Sequence, residues 1–286
     1  MTTSLTDLTP HLDKLTGRKV LCIGDVMLDR FVRGEVSRLS PEAPIPVLLE
    51  ETEEHMLGGA ANTAANAAAL GADVYLIAVI GKDRPGQTLK RLVREHIGAE
   101  DGLIEDSRRK TEIKTRYLTR NQQLLRVDKS PRLPPADESR NQLLADVRAH
   151  LQSSKAVIIS DYGKGMLEPS EVATIIAEAR KAGVPVIVDP KGSDYNRYRG
   201  ASVITPNRDE LTAATGKEAR DDAEIEKAAH DLTARFDIDT VLVTRSEDGV
   251  SIVPGKGDSV HLPTLARDVF DVSGAGDTVV AMLAVA

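Results

Sequence analysis

The sequence predicts an α/β fold: a mainly parallel central sheet with a small inserted β-sheet lid. Three observations lead there. Short continuous apolar runs (KVLCIG from Lys19, VYLIAVIG from Val74, AVIIS from Ala156) have the unbroken hydrophobicity of strands buried on both faces. From Ala156 onward such runs alternate with helical periodicity, and polar residues collect where the strands end, the place open α/β sheets bind ligands. Two separated segments, about 30–50 and 111–128, alternate apolar and polar residues instead, which suits strands with one wet face.

The chain of 286 residues reads as one domain, and at that size roughly three quarters of the unfolded surface can be buried. It carries 37 basic and 44 acidic side chains with no basic block, and it lacks Trp, so nucleic acid is a poor partner. Cys22 is the only cysteine and lies in an apolar run. That excludes an internal disulfide and predicts a buried structural thiol in a reducing, cytoplasmic setting. The start, MTTSLTDLTPHLDKLTG, lacks the basic and apolar regions of a signal peptide, and no apolar run approaches the ~20 residues that span a bilayer, so no membrane is expected.

In chain order, residues 1–17 read as a helix-containing leader. Lys19–Gly24 is a buried parallel strand, and Asp25 and Asp29 lie just past it, able to accept hydrogen bonds from sugar hydroxyls or to cap a turn. FVRGEVSRL and APIPVLLEE form an edge hairpin, and TEIKTRYLTRNQQLLRVDK a second with a turn at NQQ. Together they make the lid. Its positive charge, from Arg33, Arg38, Lys114, Arg116 and Arg120, suits a phosphorylated substrate, although each could equally be a solvated strand residue.

Gly58 and Gly59 precede a helix of Ala, Asn and Thr that can press close to a sheet or ligand. Asn62 sits one turn in, placed for a ligand hydroxyl, with Asn66 on the same face. A strand from Val74, a helix over 84–95 and a short strand over 98–104 follow. Helices are then expected over 137–151, 168–183 and 223–236, with strands at AVIIS, VPVIVD, SVITP and DTVLVT. Asp161 and Lys164, Asp189 and Lys191, and Asn207 and Glu210 stand at strand C-terminal ends, near a ligand.

The chemistry gathers at DVSGAGDTVVA, Asp271–Ala281. Gly274, Ala275 and Gly276 open a helix whose free N–H groups attract an anion. Asp277 in its first turn could take a proton from a hydroxyl attacking phosphorus, or could be a first-turn acid favoured by the helix dipole; the short motif does not choose. Asn207 and Glu210, three apart, suit Mg²⁺ held through water beside phosphates, and Lys191 could neutralise a transferring phosphoryl group. No Walker A sequence, no GxGxxG at the first strand, no His/Cys cluster and no GxSxG elbow is present.

GGAANTAANAAALG from Gly58 and DVSGAGDT from Asp271, in this order and at opposite ends, resemble the two signatures of the ribokinase-type (PfkB) carbohydrate kinases. The resemblance covers nearly the whole chain. It implies a ribokinase-like three-layer sandwich that uses ATP and Mg²⁺ to phosphorylate a small sugar or sugar phosphate. Asp277 would be the catalytic base and Gly274, Ala275 and Gly276 the anion hole. Asn207, Arg208, Asp209 and Glu210 would be the NxxE element for Mg·ATP, with Lys191, Ser246 and Gly249 near the nucleotide. Asp25, Asp29, Gly58, Gly59 and Asn62 would touch the sugar, and Arg116 and Lys164 would join them.

Finer features (GDVMLDRFVRGEVSRLSPEAPIPVL, KTRYLTRNQQLLRVD, SDYGKG, DPKGSDYNRYRGA) resemble the subgroup whose acceptor is D-glycero-β-D-manno-heptose 7-phosphate, phosphorylated at its C1 hydroxyl on the way to ADP-heptose and lipopolysaccharide. The resemblance also implies a homodimer paired through the lid. The family's helices beyond the GAGD helix are expected to be missing, and no histidine lies in an HxGH nucleotidyltransferase motif. The alternatives are a PfkB kinase of another sugar, a truncated sugar- or nucleotide-binding protein without turnover, and, more distantly, a dehydrogenase.

Overall fold

The computed structural model describes residues 15–120, 122–131, 133–264 and 274–286. Most of the expected leader, Asn121 of the NQQ turn, and Asp271–Ser273 of the last motif lie outside them.

The chain enters through β1 (Lys19–Gly24), then β2 (Val26–Leu39) and β3 (Pro46–Gly59), which run directly into α1 (Ala60–Ala69). Next come β4 (Asp73–Gly81), α2 (Arg84–His96), β5 (Leu103–Asp106), β6 (Glu112–Thr119), β7 (Gln122–Lys129) and α3 (Asp137–Leu151). Regular alternation follows: β8 (Ala156–Ser160), α4 (Pro169–Ala182), β9 (Val186–Asp189), β10 (Val203–Ile204), α5 (Arg208–Thr215), α6 (Asp222–Phe236) and β11 (Thr240–Thr244). β12 (Val250–Pro254), β13 (Val260–Leu262) and α7 (Ala275–Val285) complete the described elements.

Nine strands form the large sheet in the order β13-β12-β11-β10-β9-β8-β1-β4-β5. Every pairing from β11 to β5 is parallel, and only β12 and β13 at one edge run antiparallel. β1 lies between β4 and β8 and is buried along nearly its whole length, which is why KVLCIG reads as an unbroken apolar run. α1 packs on β1 and β4 and against α7, which itself lies on β8 and β9, while α3 packs on β1, β4 and β5. This is the α/β architecture the sequence predicts, with a large, mostly parallel sheet and a smaller separate one.

Local chemistry sets the helix ends. Asp83 accepts the Gly86 N–H at the start of α2, and Asp221 that of Glu224 at the start of α6. Reciprocal capping boxes start α4 (Glu168 with Glu171) and α5 (Asn207 with Glu210).

The second sheet has the order β3-β2-β6-β7. Its strands reach further than the alternation at 30–50 suggests: β2 pairs with β3 from Val26↔Gly59 to Leu39↔Pro46, so Gly58 and Gly59 end a strand as well as opening a helix. Register shifts between Arg33 and Gly34 and between Val36 and Arg38 break the period of two, which hides the full strand length in the sequence. The strand expected over 98–104 is instead confined to Leu103–Asp106, and β13 has no counterpart among the expected elements. Among the described residues no helix is long and apolar enough to cross a membrane.

Candidate active site

The C-terminal ends of β1, β8, β9, β10 and β11 share one side of the sheet, because these strands are parallel neighbours. Polar side chains therefore meet there from distant parts of the sequence. At the centre stands Asp277, in the first turn of α7 and 5% exposed. Its Oδ2 accepts Asn62 Nδ2 at 2.6 Å; its Oδ1 accepts Thr63 Oγ1 at 2.8 Å and Tyr162 Oη at 3.1 Å. Burial pushes the Asp277 carboxyl above its ordinary range. The three hydrogen bonds oppose that rise, and the charge of Asp29 adds to it. One turn along, Asn66 Nδ2 donates to Thr278 Oγ1 at 3.2 Å, a second tie between α1 and α7.

Gly274 caps α7 in the left-handed region, φ +79°. A Cβ there would come within 2.9 Å of Asn62 Nδ2, so the close packing of α1 on this turn needs glycine. Ala275 and Gly276 are exposed, and no atom of the described residues stands within 4 Å of where a Gly276 Cβ would be. Among the described residues the first turn of α7 is uncovered, its N–H groups lying beside a buried carboxylate.

Asn62 differs from expectation. Its amide is turned onto Asp277 and orients the acid, whereas the sequence placed it against a ligand hydroxyl. Asp25 requires a correction of the same kind. Its carboxylate is 5% exposed and accepts the backbone N–H groups of Tyr162 (3.0 Å), Lys164 (3.0 Å) and Met166 (3.3 Å). Asp25 thus folds the loop after β8, its oxygens turned to backbone N–H groups where the sequence placed them on a sugar hydroxyl. Burial raises its pKa while the backbone donors lower it.

Lys164 also points away from the expected place: its Nζ pairs with Glu112 at 3.0 Å and Ser130 at 3.1 Å, tying the loop to the second sheet. Gly59, at φ +62°, is forced by crowding, since a Cβ would lie 2.3 Å from the Asp25 carbonyl oxygen. A Gly58 Cβ would lie 2.7 Å from Asp29 Oδ2.

On the second sheet Arg116 Nη1 meets Asp29 Oδ1 at 2.9 Å, both side chains under a fifth exposed, and the guanidinium lies 5.1 Å from the Phe31 ring centroid. The sequence selected both residues without foreseeing that each satisfies the other. Lys114, on the same face, is half-buried with its ammonium 5.3 Å from the Tyr162 ring. Burial lowers its pKa, against the opposing charge of Asp29.

Further along the sheet edge, Asn207 Oδ1 accepts the Glu210 N–H at 2.8 Å and Glu210 Oε2 accepts the Asn207 N–H at 3.1 Å. The other Glu210 oxygen holds Lys191 Nζ at 2.9 Å. As expected metal ligands both residues are already engaged in the capping box. Among the described residues no group of three His, Cys, Asp or Glu side chains could hold a metal ion alone. Arg208 pairs with Asp248 at 2.5 Å, Asp209 is exposed, and Ser246 and Gly249 frame the turn after β11 at φ +53° and +92°. Arg245, which the sequence reading passed over, is buried beneath that turn and donates to the Asp248 carbonyl at 2.8 Å and to Asp222.

Thr63 is the other residue the sequence does not single out; Tyr162 lies within SDYGKG with no role of its own, and Asp189 is expected only as a polar residue at a strand end. Its carboxyl is pushed up to about 7, first by burial and then by the charges of Asp277 and Glu210; Thr205 Oγ1 at 3.4 Å is its hydrogen-bond donor. Asp189 thereby links the Asp277 centre to the Lys191–Glu210 pair.

The ordinary value for an aspartate is 3.8, so between about 4 and 7 the folded chain holds a proton that the unfolded chain has lost. Stability from this group therefore falls as pH rises through that window. Asp189→Asn should gain stability over the wild type by a few kcal/mol at pH 8 and by little at pH 4, read from urea unfolding at both values. An equal difference at both pH values would mean that Asp189 is not held neutral.

A family model described as pfkB family carbohydrate kinase matches residues 18–286. The bifunctional protein HldE of Paramagnetospirillum magneticum is 48% identical over 284 residues, 99% of this chain and 58% of that protein. Its namesake in Caulobacter vibrioides is 45% identical over 282 residues, covering 98% and 58%. The chain therefore spans somewhat over half the length of these curated relatives. Among solved structures, Arabidopsis thaliana ribokinase complexed with ribose and ATP superposes with a TM-score of 0.72 at 22% identity, covering 94% of this chain and 85% of that one. The tetrameric inhibited form of phosphofructokinase-2 from Escherichia coli gives 0.76 at 20%, covering 93% and 85%. These two likenesses concern the fold. With the family model spanning nearly the whole chain and relatives near half identity along it, the chain belongs to the pfkB family of carbohydrate kinases.

Proposed function

We propose that this chain transfers the γ-phosphoryl group of ATP to the C1 hydroxyl of D-glycero-β-D-manno-heptose 7-phosphate, giving the 1,7-bisphosphate and ADP. The observation that carries the reading is the buried, triply hydrogen-bonded Asp277 carboxylate in the first turn of a helix whose start is uncovered among the described residues. The C1 oxygen attacks the γ-phosphorus, the bond to the β-phosphate oxygen breaks, and the hydroxyl proton passes to Asp277. Asn62, Thr63 and Tyr162 hold the carboxylate still, which removes orientational disorder from the proton transfer. The N–H groups at Gly274–Gly276 face the charge developing on the transferring group. The subgroup motifs in the second sheet support a heptose acceptor.

The residues fit Mg²⁺ carried by nucleotide phosphates and not by a protein cage. Asp189 and Glu210 are hard oxygen donors in a patch of excess negative charge, and they would hold the ion with water completing its shell. When bound, Mg²⁺ neutralises phosphate charge. Lys191, and the turn at Ser246–Gly249 with Arg208 beside it, would flank the nucleotide. Arg116, with Asp29, would meet the sugar phosphate, the guanidinium exchanging part of its bond to Asp29 for the distal phosphate.

A homodimer through the second sheet is part of the proposal. Leu39, Ile45, Leu49, Met56 and Leu125 of that sheet are more than half exposed, an apolar surface that a partner sheet would cover. The lone, buried Cys22 supports a cytoplasmic setting.

With Mg·ATP, ADP release should occur with the heptose 7-phosphate and not with ribose or fructose 6-phosphate. Asp277→Asn should cut turnover by about 10²–10⁴ with ATP binding retained. Full turnover in that variant would remove Asp277 as the base. Arg116→Ala should raise KM for the sugar phosphate by at least about tenfold, and an unchanged KM would place the distal phosphate elsewhere. In sedimentation velocity the wild type should run as a dimer and Leu49→Lys/Met56→Lys as a monomer. A monomeric wild type would end the dimer reading.

A further inference from the structure

The second sheet has two faces, and the register separates them. Asp29, Phe31, Lys114 and Arg116 lie on one; Leu28, Arg30 and Ile113 lie on the other, with His55 opposite Arg30 and Glu53 opposite Val32. Behind that second face is a cavity of about 230 Å³, closed on its far side by the first turn of α2 through Arg84, Pro85 and Thr88. Nothing in the phosphoryl-transfer reading uses it.

Three nitrogen-bearing side chains line this cavity. Arg30 Nε is buried and has no hydrogen-bond partner among the described residues, and its Nη1 stands 3.7 Å from Glu53, beyond hydrogen-bond reach. The Glu53 carboxylate is directed at His55 Nε2, at 2.9 Å. Arg84 is exposed at the rim and its guanidinium makes no ion pair or hydrogen bond among the described residues. Two guanidinium groups thus face one carboxylate that a histidine already shares, above a floor of Leu28 and Ile113. The Arg30 side chain is about a third exposed and its Nη1 lies beyond hydrogen-bond reach of Glu53, so its guanidinium keeps N–H groups for an acceptor oxygen, and a phosphate offers several in the geometry that an arginine fork matches.

We propose that this cavity is a second anion site, distinct from the catalytic one, that takes a phosphate-bearing small molecule. Its oxyanion lies between Arg30 and Arg84, and its carbon skeleton rests on Leu28 and Ile113. Occupancy fastens the second sheet to the body of the fold, because Arg30 belongs to β2 and Arg84 to α2. Arg30 is the neighbour in sequence of Asp29, so an occupant on the reverse face bears on the strand that carries the Asp29–Arg116 pair. The site is independent of which sugar the kinase uses.

The test is calorimetric titration of the full chain with inorganic phosphate, at ionic strength fixed by sodium chloride, without nucleotide or sugar. The comparison is wild type against Arg84→Glu, Arg84→Gln and Arg116→Glu. Arg84 is exposed, so its variants should melt as the wild type does without phosphate. Phosphate affinity should fall at least tenfold in both Arg84 variants and stay within twofold of wild type in Arg116→Glu. Loss in Arg116→Glu with retention in the Arg84 variants would place phosphate on the catalytic face and overturn the proposal. Equal losses in all three variants, no loss in any, or no binding by the wild type would overturn it as well.

Discussion

Everything at the catalytic end of the sheet depends on one carboxylate being kept out of water. Asp277 is held by donors from α1 and from the loop after β8, so three stretches of chain must be in place together before it is satisfied. A buried charge lacking any of these donors would be costly, and the geometry leaves little slack. The glycines follow from this constraint. Gly274 lets α7 approach Asn62, and Gly59 lets α1 begin directly against the Asp25 carbonyl. Asp25 belongs to the same construction, since its oxygens fold the turn from which Tyr162 reaches Asp277.

Charge at the site is arranged in two patches of different character. Around Asp277 and Asp189 burial raises both pKa values, with the charges of Asp277 and Glu210 adding to the rise at Asp189 and that of Asp29 to the rise at Asp277. At the second sheet Arg116, Lys114 and Lys164 each face acidic partners in Asp29 or Glu112. An acidic patch draws a divalent cation bound to phosphates, and a patch of paired cations can trade partners with an incoming phosphate. In the proposed reading, the two halves of a phosphoryl-transfer site are thus prepared by local electrostatics before any ligand arrives.

The architecture was largely legible in the sequence because it rests on local patterns. Continuous apolar runs marked the parallel strands, and α3 spans the expected residues 137–151. Parallel order in turn placed the ends of β8, β9 and β10 on one edge, which located the site. What was not legible was which polar groups face each other inside it. Asn62 and Asp25 were assigned to a ligand because their positions are right for one, but position does not say where a side chain turns. Asn62 meets an acid 215 residues away, and Asp25 is claimed by a loop that begins more than 130 residues later. The bulges in β2 shifted its alternation and concealed the true extent of the second sheet. Tyr162 and Asp189 lie within SDYGKG and DPKGSDYNRYRGA, but only the packing shows that Tyr162 bonds Asp277 and that Asp189 is held near neutral beside it.

The pairing of α1 with α7 also sets a timetable. Residues 60–69 leave the ribosome long before residues 275–285, and at roughly 5–20 residues per second the wait is on the order of 10–40 s. Throughout that interval the small-residue face of α1, together with Asn62 and Thr63, has no helix to lie against. The strands around β1 can assemble meanwhile, since β4, β8 and β9 are already made. The nascent domain therefore passes through a stage in which the scaffold is built and the catalytic centre is not. A chain in that stage presents a groove matching α7, open to its own α7 or to that of another copy.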